Sequence, residues 1–82
     1  MTFSEAVAQS KTLPEKPGNE TLLKLYSLYK QATEGDAPEE KSYGMFDFVA
    51  KAKHEAWHKR KGTSKADAEA QYIALVGELS GK

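Results

Sequence analysis

Apolar residues recur at three- and four-residue intervals through most of the chain, and the breaks between these stretches divide it into four helices. Phe3, Ala6, Val7 and Ser10 share one face behind Thr2 and Glu5, which have the spacing of a capping box, and Pro14 stops the pattern. Pro17, Gly18 and Asn19 form the next break; Asn19 is expected to cap a second helix that has Glu20 in its first turn and runs to Gly35. From Ala37 to Gly44 there is no periodicity, only Pro38, Gly44 and three charges, which reads as a loop. Asp47 is expected to cap a third helix that Gly62 ends. Ser64 and Asp67 open a fourth, whose apolar stripe is Ala68, Tyr72, Leu75, Val76 and Leu79. No stretch alternates as a strand would and no segment repeats. The predicted architecture is all-α, a four-helix bundle forming a single domain over residues 1–82.

The second helix contains more apolar surface than packing on neighbours requires. Leu22, Leu23, Leu25, Tyr26, Leu28, Tyr29 and Ala32 spread over roughly 220° of its circumference, whereas a core-facing stripe needs little more than about 100°. Within that arc Tyr26, Tyr29 and Lys30 fall in one sector, since side chains three and four apart are neighbours on a helix. Two aromatic faces, two hydroxyls and one ammonium suit a ligand with both a flat ring and a phosphate. The same spacing also fits two tyrosines at the rim of a core with a lysine lying over them. A second set of similar residues favours the ligand, because Lys53 borders the apolar side of the third helix beside Ala52, Ala56 and Trp57, and Tyr72 sits in the stripe of the fourth.

Composition narrows the partners. Twelve basic residues balance twelve acidic ones in 82 residues, so no overall field attracts nucleic acid or an anionic membrane, and any anion site has to be local. There is no cysteine, which excludes disulfides, thiolate metal sites and thiol catalysis. The N-terminal residues lack the basic start and apolar run of a signal peptide, and no stretch approaches the ~20 apolar residues of a membrane span. These features predict a soluble intracellular protein, and the even charge mix favours a monomer.

Taken in order, several motifs form a recognisable pattern. They are Lys16-Pro17, Leu22-Leu23-x-Leu25-Tyr26-Ser27-Leu28-Tyr29-Lys30-Gln31-Ala32-Thr33-x-Gly35-Asp36, Gly44-Met45-Phe46-Asp47, Lys51-Ala52-Lys53-x-x-Ala56-Trp57, Lys61-Gly62-Thr63-Ser64 and Tyr72-Ile73. Together they closely resemble the acyl-CoA-binding protein family over nearly the whole chain. The resemblance implies a bundle in up-down-down-up order and a non-enzymatic cytoplasmic carrier of long-chain fatty acyl-CoA, with no cofactor. It further implies that Tyr29 stacks on the adenine, that Tyr26, Lys30 and Lys53 gather around the ribose 3'-phosphate, and that Tyr72 and Lys11 complete the contacts at the nucleotide end. Val7, Leu22 and Leu23 are then expected to floor a groove for the acyl chain. A phosphate with nearly two negative charges suits two lysines and phenol hydroxyls. Burying about fourteen methylenes contributes on the order of 11 kcal/mol before ordering costs, so the chain should dominate affinity and the nucleotide specificity.

The sequence departs from the family pattern at three places. His54 stands where a tryptophan is usual, Val49 where a lysine often adds a phosphate contact, and the loop from Ala37 to Tyr43 is about one residue longer, with Ser42-Tyr43 in place of a basic residue and proline. The histidine also completes His54-Glu55-Ala56-Trp57-His58, which matches the His-Glu-x-x-His signature of zinc hydrolases, in which the glutamate activates a water. Read literally, it makes His54 and His58 metal ligands, with Glu69 or Glu78 as a third. Against that stand the absence of a strand to hold a peptide, the small size and the brevity of the motif; two surface histidines on a charged helix account for it more simply. A third reading, a helical module that binds a partner protein through the extra arc of the second helix, does not require Lys30 and Lys53 to converge there. Nucleic acid ranks lower, with no basic stripe beyond Lys59 to Lys61.

Overall fold

The computed structural model describes residues 1–38 and 48–81, and among them every regular element is a helix. The first, α1 (Phe3–Ser10), starts at the capping box: Glu5 N–H donates to Thr2 Oγ1 at 3.1 Å, and Thr2 N–H donates to Glu5 Oε1 at 2.7 Å. The second, α2 (Asn19–Glu34), begins one residue earlier than expected. Its N-cap is Gly18 rather than Asn19, because Gly18 has the extended backbone of a cap and its carbonyl already accepts from Leu22 N–H at 2.9 Å. Asn19 is thereby drawn into the first turn, and no side chain caps the helix. At the other end Gly35 stops it with φ +84°, a conformation that side chains with a Cβ rarely adopt.

The third helix, α3 (Phe48–His58), ends four residues before Gly62. Arg60 N–H and Lys61 N–H turn back to the carbonyls of Trp57 and His58, three residues behind them, so the chain tightens and leaves the helix before Gly62, at φ +93°, redirects it. Asp47, the expected cap of α3, lies outside the described residues. The fourth helix, α4 (Lys65–Leu79), opens at Ser64, whose Oγ accepts from Asp67 N–H at 3.0 Å.

Packing follows the stripes. Helix α2 lies against both α3 and α4, and α1 packs on α4. The core joins Ala6 of α1, Leu25 and Leu28 of α2, and Tyr72 and Val76 of α4, with Phe3, Val7, Ile73, Leu75 and Leu79 around it. A polar clamp fixes the end of α2 to the turn after α3. Fully buried Gln31 donates through Nε2 to Thr63 O and to Asp36 Oδ1, both at 2.8 Å, and Gly62 N–H donates to the same carboxylate oxygen at 3.0 Å. Trp57 Nε1 donates to Gly35 O at 2.8 Å beside it, so α3 is tied to the exact point where α2 stops. No helix among the described residues is long and apolar enough to cross a membrane.

Candidate ligand site on α2, α3 and α4

The chemistry-bearing side chains of α2 divide between its two neighbours. Tyr29 turns toward α1 and α4: its ring stacks on Phe3 with centroids 6.1 Å apart and planes 23° apart, and it meets Tyr72 at 6.4 Å. Phe3 in turn meets Tyr72 edge-on at 5.2 Å. Tyr29 remains 39% exposed, so it is a rim aromatic backed by two rings with part of its own surface open. Tyr72 is buried, and its hydroxyl donates to Ser10 Oγ at 3.0 Å. That contact ends on the last residue of α1, immediately before Lys11, which is exposed and forms the C-cap of the helix.

On the α3 side two lysine–aromatic contacts cross the helix boundary in opposite directions. Lys30 of α2 places Nζ 5.0 Å from the ring centroid of Trp57 on α3, and Lys53 of α3 places Nζ 5.3 Å from that of Tyr26 on α2. Trp57 is a fixed platform, buried and held by its indole hydrogen bond to Gly35. Lys30 also pairs with the Glu34 carboxylate one turn further along. That hydrogen bond raises the Lys30 pKa above the ordinary lysine value despite an opposing effect of burial, so the ammonium is fully charged at neutral pH.

Next to Lys53 an apolar groove of about 400 Å³ opens between the start of α2 and the start of α3, lined by Asn19, Leu22, Leu23, Phe48, Val49, Ala52 and Lys53. Its walls are unusually bare of solvent protection: Leu22 is 38%, Val49 68% and Phe48 70% exposed. The groove thus runs up to Lys53, and through it to the Tyr26 ring.

Leu22 and Leu23 lie in this groove, whereas Val7 packs on the core of α1, α2 and α4 and is not among the lining residues. The structure brings Tyr26, Lys30 and Lys53 to the α2–α3 boundary and Tyr29, Tyr72 and Lys11 to the α1–α4 side. The sequence does not by itself assign Phe48 and Val49 to a groove wall or Phe3 to the support of Tyr29. Two adjacent exposed apolar residues at the head of a charged helix were the available signal for the first two. The position of Val49 shows what the departure from lysine there does: it adds apolar wall to the groove instead of a cation.

The histidine pair lies elsewhere. His54 and His58 have ring centroids 6.3 Å apart on α3, and His54 meets the Trp57 ring edge-on at 6.1 Å. Among the described residues no three His, Cys, Asp or Glu side chains gather as metal ligands, so neither Glu69 nor Glu78 of α4 joins the histidines. A hydrolytic zinc centre of the kind the motif suggests is not assembled there.

Known proteins share this sequence pattern and this fold. The family model described as acyl CoA binding protein matches residues 1–76. Acyl-CoA-binding protein homolog 1 of Caenorhabditis elegans is 50% identical over 82 residues, spanning 100% of this chain and 94% of its own. The acyl-CoA-binding protein of Saccharomyces cerevisiae is 49% identical over 98% of this chain and 91% of its own. Rat enoyl-CoA delta isomerase 2 is 49% identical over 95% of this chain, which covers only 20% of that enzyme. Among solved structures, Oryza sativa acyl-CoA-binding protein 2 superposes with a TM-score of 0.83 at 42% identity, over 94% of this chain and 84% of its own. The solution structure of an acyl coenzyme A binding protein from yeast gives 0.75 at 48% identity, over 96% of this chain and 91% of its own. With a family match over nearly its full length and relatives of about half-identical sequence, the chain belongs to the acyl-CoA binding protein family.

Proposed function

We propose that this protein is a cytoplasmic carrier of long-chain fatty acyl-CoA thioesters, holding the nucleotide by its adenine and 3'-phosphate and sheltering the acyl chain without performing chemistry on it. Acyl-CoA binding is the property of its family. The observation that supports the finer assignment is that Lys53 both lines the apolar groove of Leu22, Leu23, Phe48 and Val49 and lies over the Tyr26 ring, one helical turn from Lys30. An acyl-CoA is itself an apolar chain joined to a phosphorylated nucleotide, so one continuous surface with an apolar end and a cationic, aromatic end fits it.

In this reading the exposed face of Tyr29, backed by Phe3, stacks on the adenine. Lys30 and Lys53 supply charge to the 3'-phosphate, with the Tyr26 hydroxyl beside them. Both ammonium groups are already held on rings, so little side-chain freedom remains to be lost when the phosphate arrives. Lys11 and Tyr72 complete the nucleotide end, and Leu22 and Leu23 bear the acyl chain; Val7 contributes by shaping the core beneath. Residues 1–82 act as one such domain, working as a monomer that passes its ligand to acyl-CoA-using enzymes. No nucleic acid or inserted membrane segment is part of this role.

Isothermal titration with palmitoyl-CoA, free CoA and palmitate tests the proposal. Palmitoyl-CoA should bind far more tightly than either fragment. Absence of heat with any acyl-CoA overturns it.

A further inference from the structure

Lys30 already has an anionic partner. Its Nζ donates to the Glu34 carboxylate one turn toward the C-terminal end of α2, and Tyr26, Lys30 and Glu34 therefore rise along one edge of the helix at four-residue intervals. Building on the reading of Lys30 as a 3'-phosphate ligand, we propose that Glu34 is a specificity-determining residue that competes with the ligand's phosphate for the Lys30 ammonium.

The two ends of the pair are not equally free to move. The Lys30 side chain is 24% exposed and lies over the Trp57 ring, which is itself pinned to Gly35; the Glu34 side chain is 52% exposed. Glu34 is the partner that gives way. A phosphate drawn to Lys30 would otherwise stand within about 6 Å, one turn of helix rise, of a carboxylate facing the same cation, and two anions at that distance repel. Binding thus exchanges one anion for another at a cation that stays in place. A ligand lacking the 3'-phosphate leaves the Lys30–Glu34 pair intact and gains nothing from its removal. Glu34 consequently lowers affinity selectively for the phosphorylated ligand and eases its release.

The test is titration of palmitoyl-CoA and palmitoyl-dephospho-CoA into the wild type, Glu34→Gln, Lys30→Ala and the double variant. Glutamine preserves the shape, and its site at an exposed helix end makes unfolding avoidable; circular dichroism verifies this. Glu34→Gln should bind palmitoyl-CoA roughly two- to fivefold more tightly, the range expected from freeing one surface ion-pair partner. Its affinity for the dephospho ligand should not change, and the gain should shrink when Lys30 is alanine. Equal tightening for both ligands, no tightening, or an undiminished gain without Lys30 overturns the competition while leaving the carrier reading intact. A wild type that binds both ligands equally instead removes the 3'-phosphate assignment, and this inference with it.

Discussion

The Lys30 ammonium and the Trp57 indole lie 5.0 Å apart across the boundary of α2 and α3, and the Trp57 N–H is bonded to Gly35, the residue that ends the helix carrying Lys30. One aromatic side chain therefore both ties α3 to the residue that stops α2 and lies beneath the Lys30 cation. The site and the fold share this residue. Replacing Lys30 by alanine should weaken palmitoyl-CoA roughly 10- to 100-fold, the range for losing a hydrogen bond to a charged group. Palmitoyl-dephospho-CoA should lose far less. Titration of both ligands measures the difference, and equal losses would remove the phosphate assignment.

Trp57→Phe separates the two duties of the tryptophan. Phenylalanine keeps a ring under Lys30 but leaves the half-buried Gly35 carbonyl without its indole donor, so unfolding in urea should show a loss of about 1 kcal/mol. Selectivity for the 3'-phosphate should largely persist. Trp57→Leu, which removes the ring, should reduce that selectivity as well; a leucine variant as selective as the wild type would show that the ring does not position Lys30.

Phe48→Ala probes the groove without disturbing the core. The side chain is 70% exposed, so the folding stability should stay within about 0.5 kcal/mol of wild type. Affinity for palmitoyl-CoA should fall, and affinity for free CoA should not. The comparison needs only thermal unfolding and two titrations. Unaltered palmitoyl-CoA binding would place the acyl chain elsewhere.

Tyr72→Phe distinguishes scaffold from ligand contact in a buried ring. Its hydroxyl donates to Ser10 Oγ and so ties α4 to the end of α1, and deleting it should lower stability by about 0.5–1.5 kcal/mol in chemical denaturation. An equal affinity for palmitoyl-CoA in the variant would confine the hydroxyl to the scaffold.

Acid should weaken the clamp at Asp36. Its carboxyl pKa is held below the ordinary 3.8, first by the hydrogen bond from Gly62 N–H and then by that from Gln31, and nearby Lys61 and His58 act in the same direction. A carboxylate depressed in the folded state adds stability above its unfolded pKa and loses it as the pH falls through the folded value. The contribution should therefore be constant from neutral pH to about 5 and decline below about 4. Asp36→Ala should melt at lower temperature than wild type at pH 7, and the gap should narrow by pH 2. Parallel melting curves across that range would show that Asp36 does not contribute in this way.

How much of this could be read from the chain depends on how local its cause is. The capping box of α1 and the Ser64 cap of α4 were legible because both partners lie three residues apart, and the stripe of α4 because burial repeats with the helical period. The start of α2 was misplaced by one residue, since Gly18 and Asn19 both suit a cap and only the carbonyl that closes the first turn chooses between them. The sequence places the end of α3 three residues too late, because Gly62 marks the redirection of the chain and not the point where the hydrogen bonds shorten. The excess apolar arc of α2 and the types of residue suited to a nucleotide were likewise present in the sequence. What the tertiary structure alone decided is which element each side chain meets: Lys30 on Trp57, Lys53 on Tyr26, Tyr29 on Phe3, and Phe48 and Val49 opposite Leu22 and Leu23. Periodicity fixes the angle at which a residue leaves its own helix. It contains no information on the rotation and offset of the neighbouring helix, and those set every contact in the site.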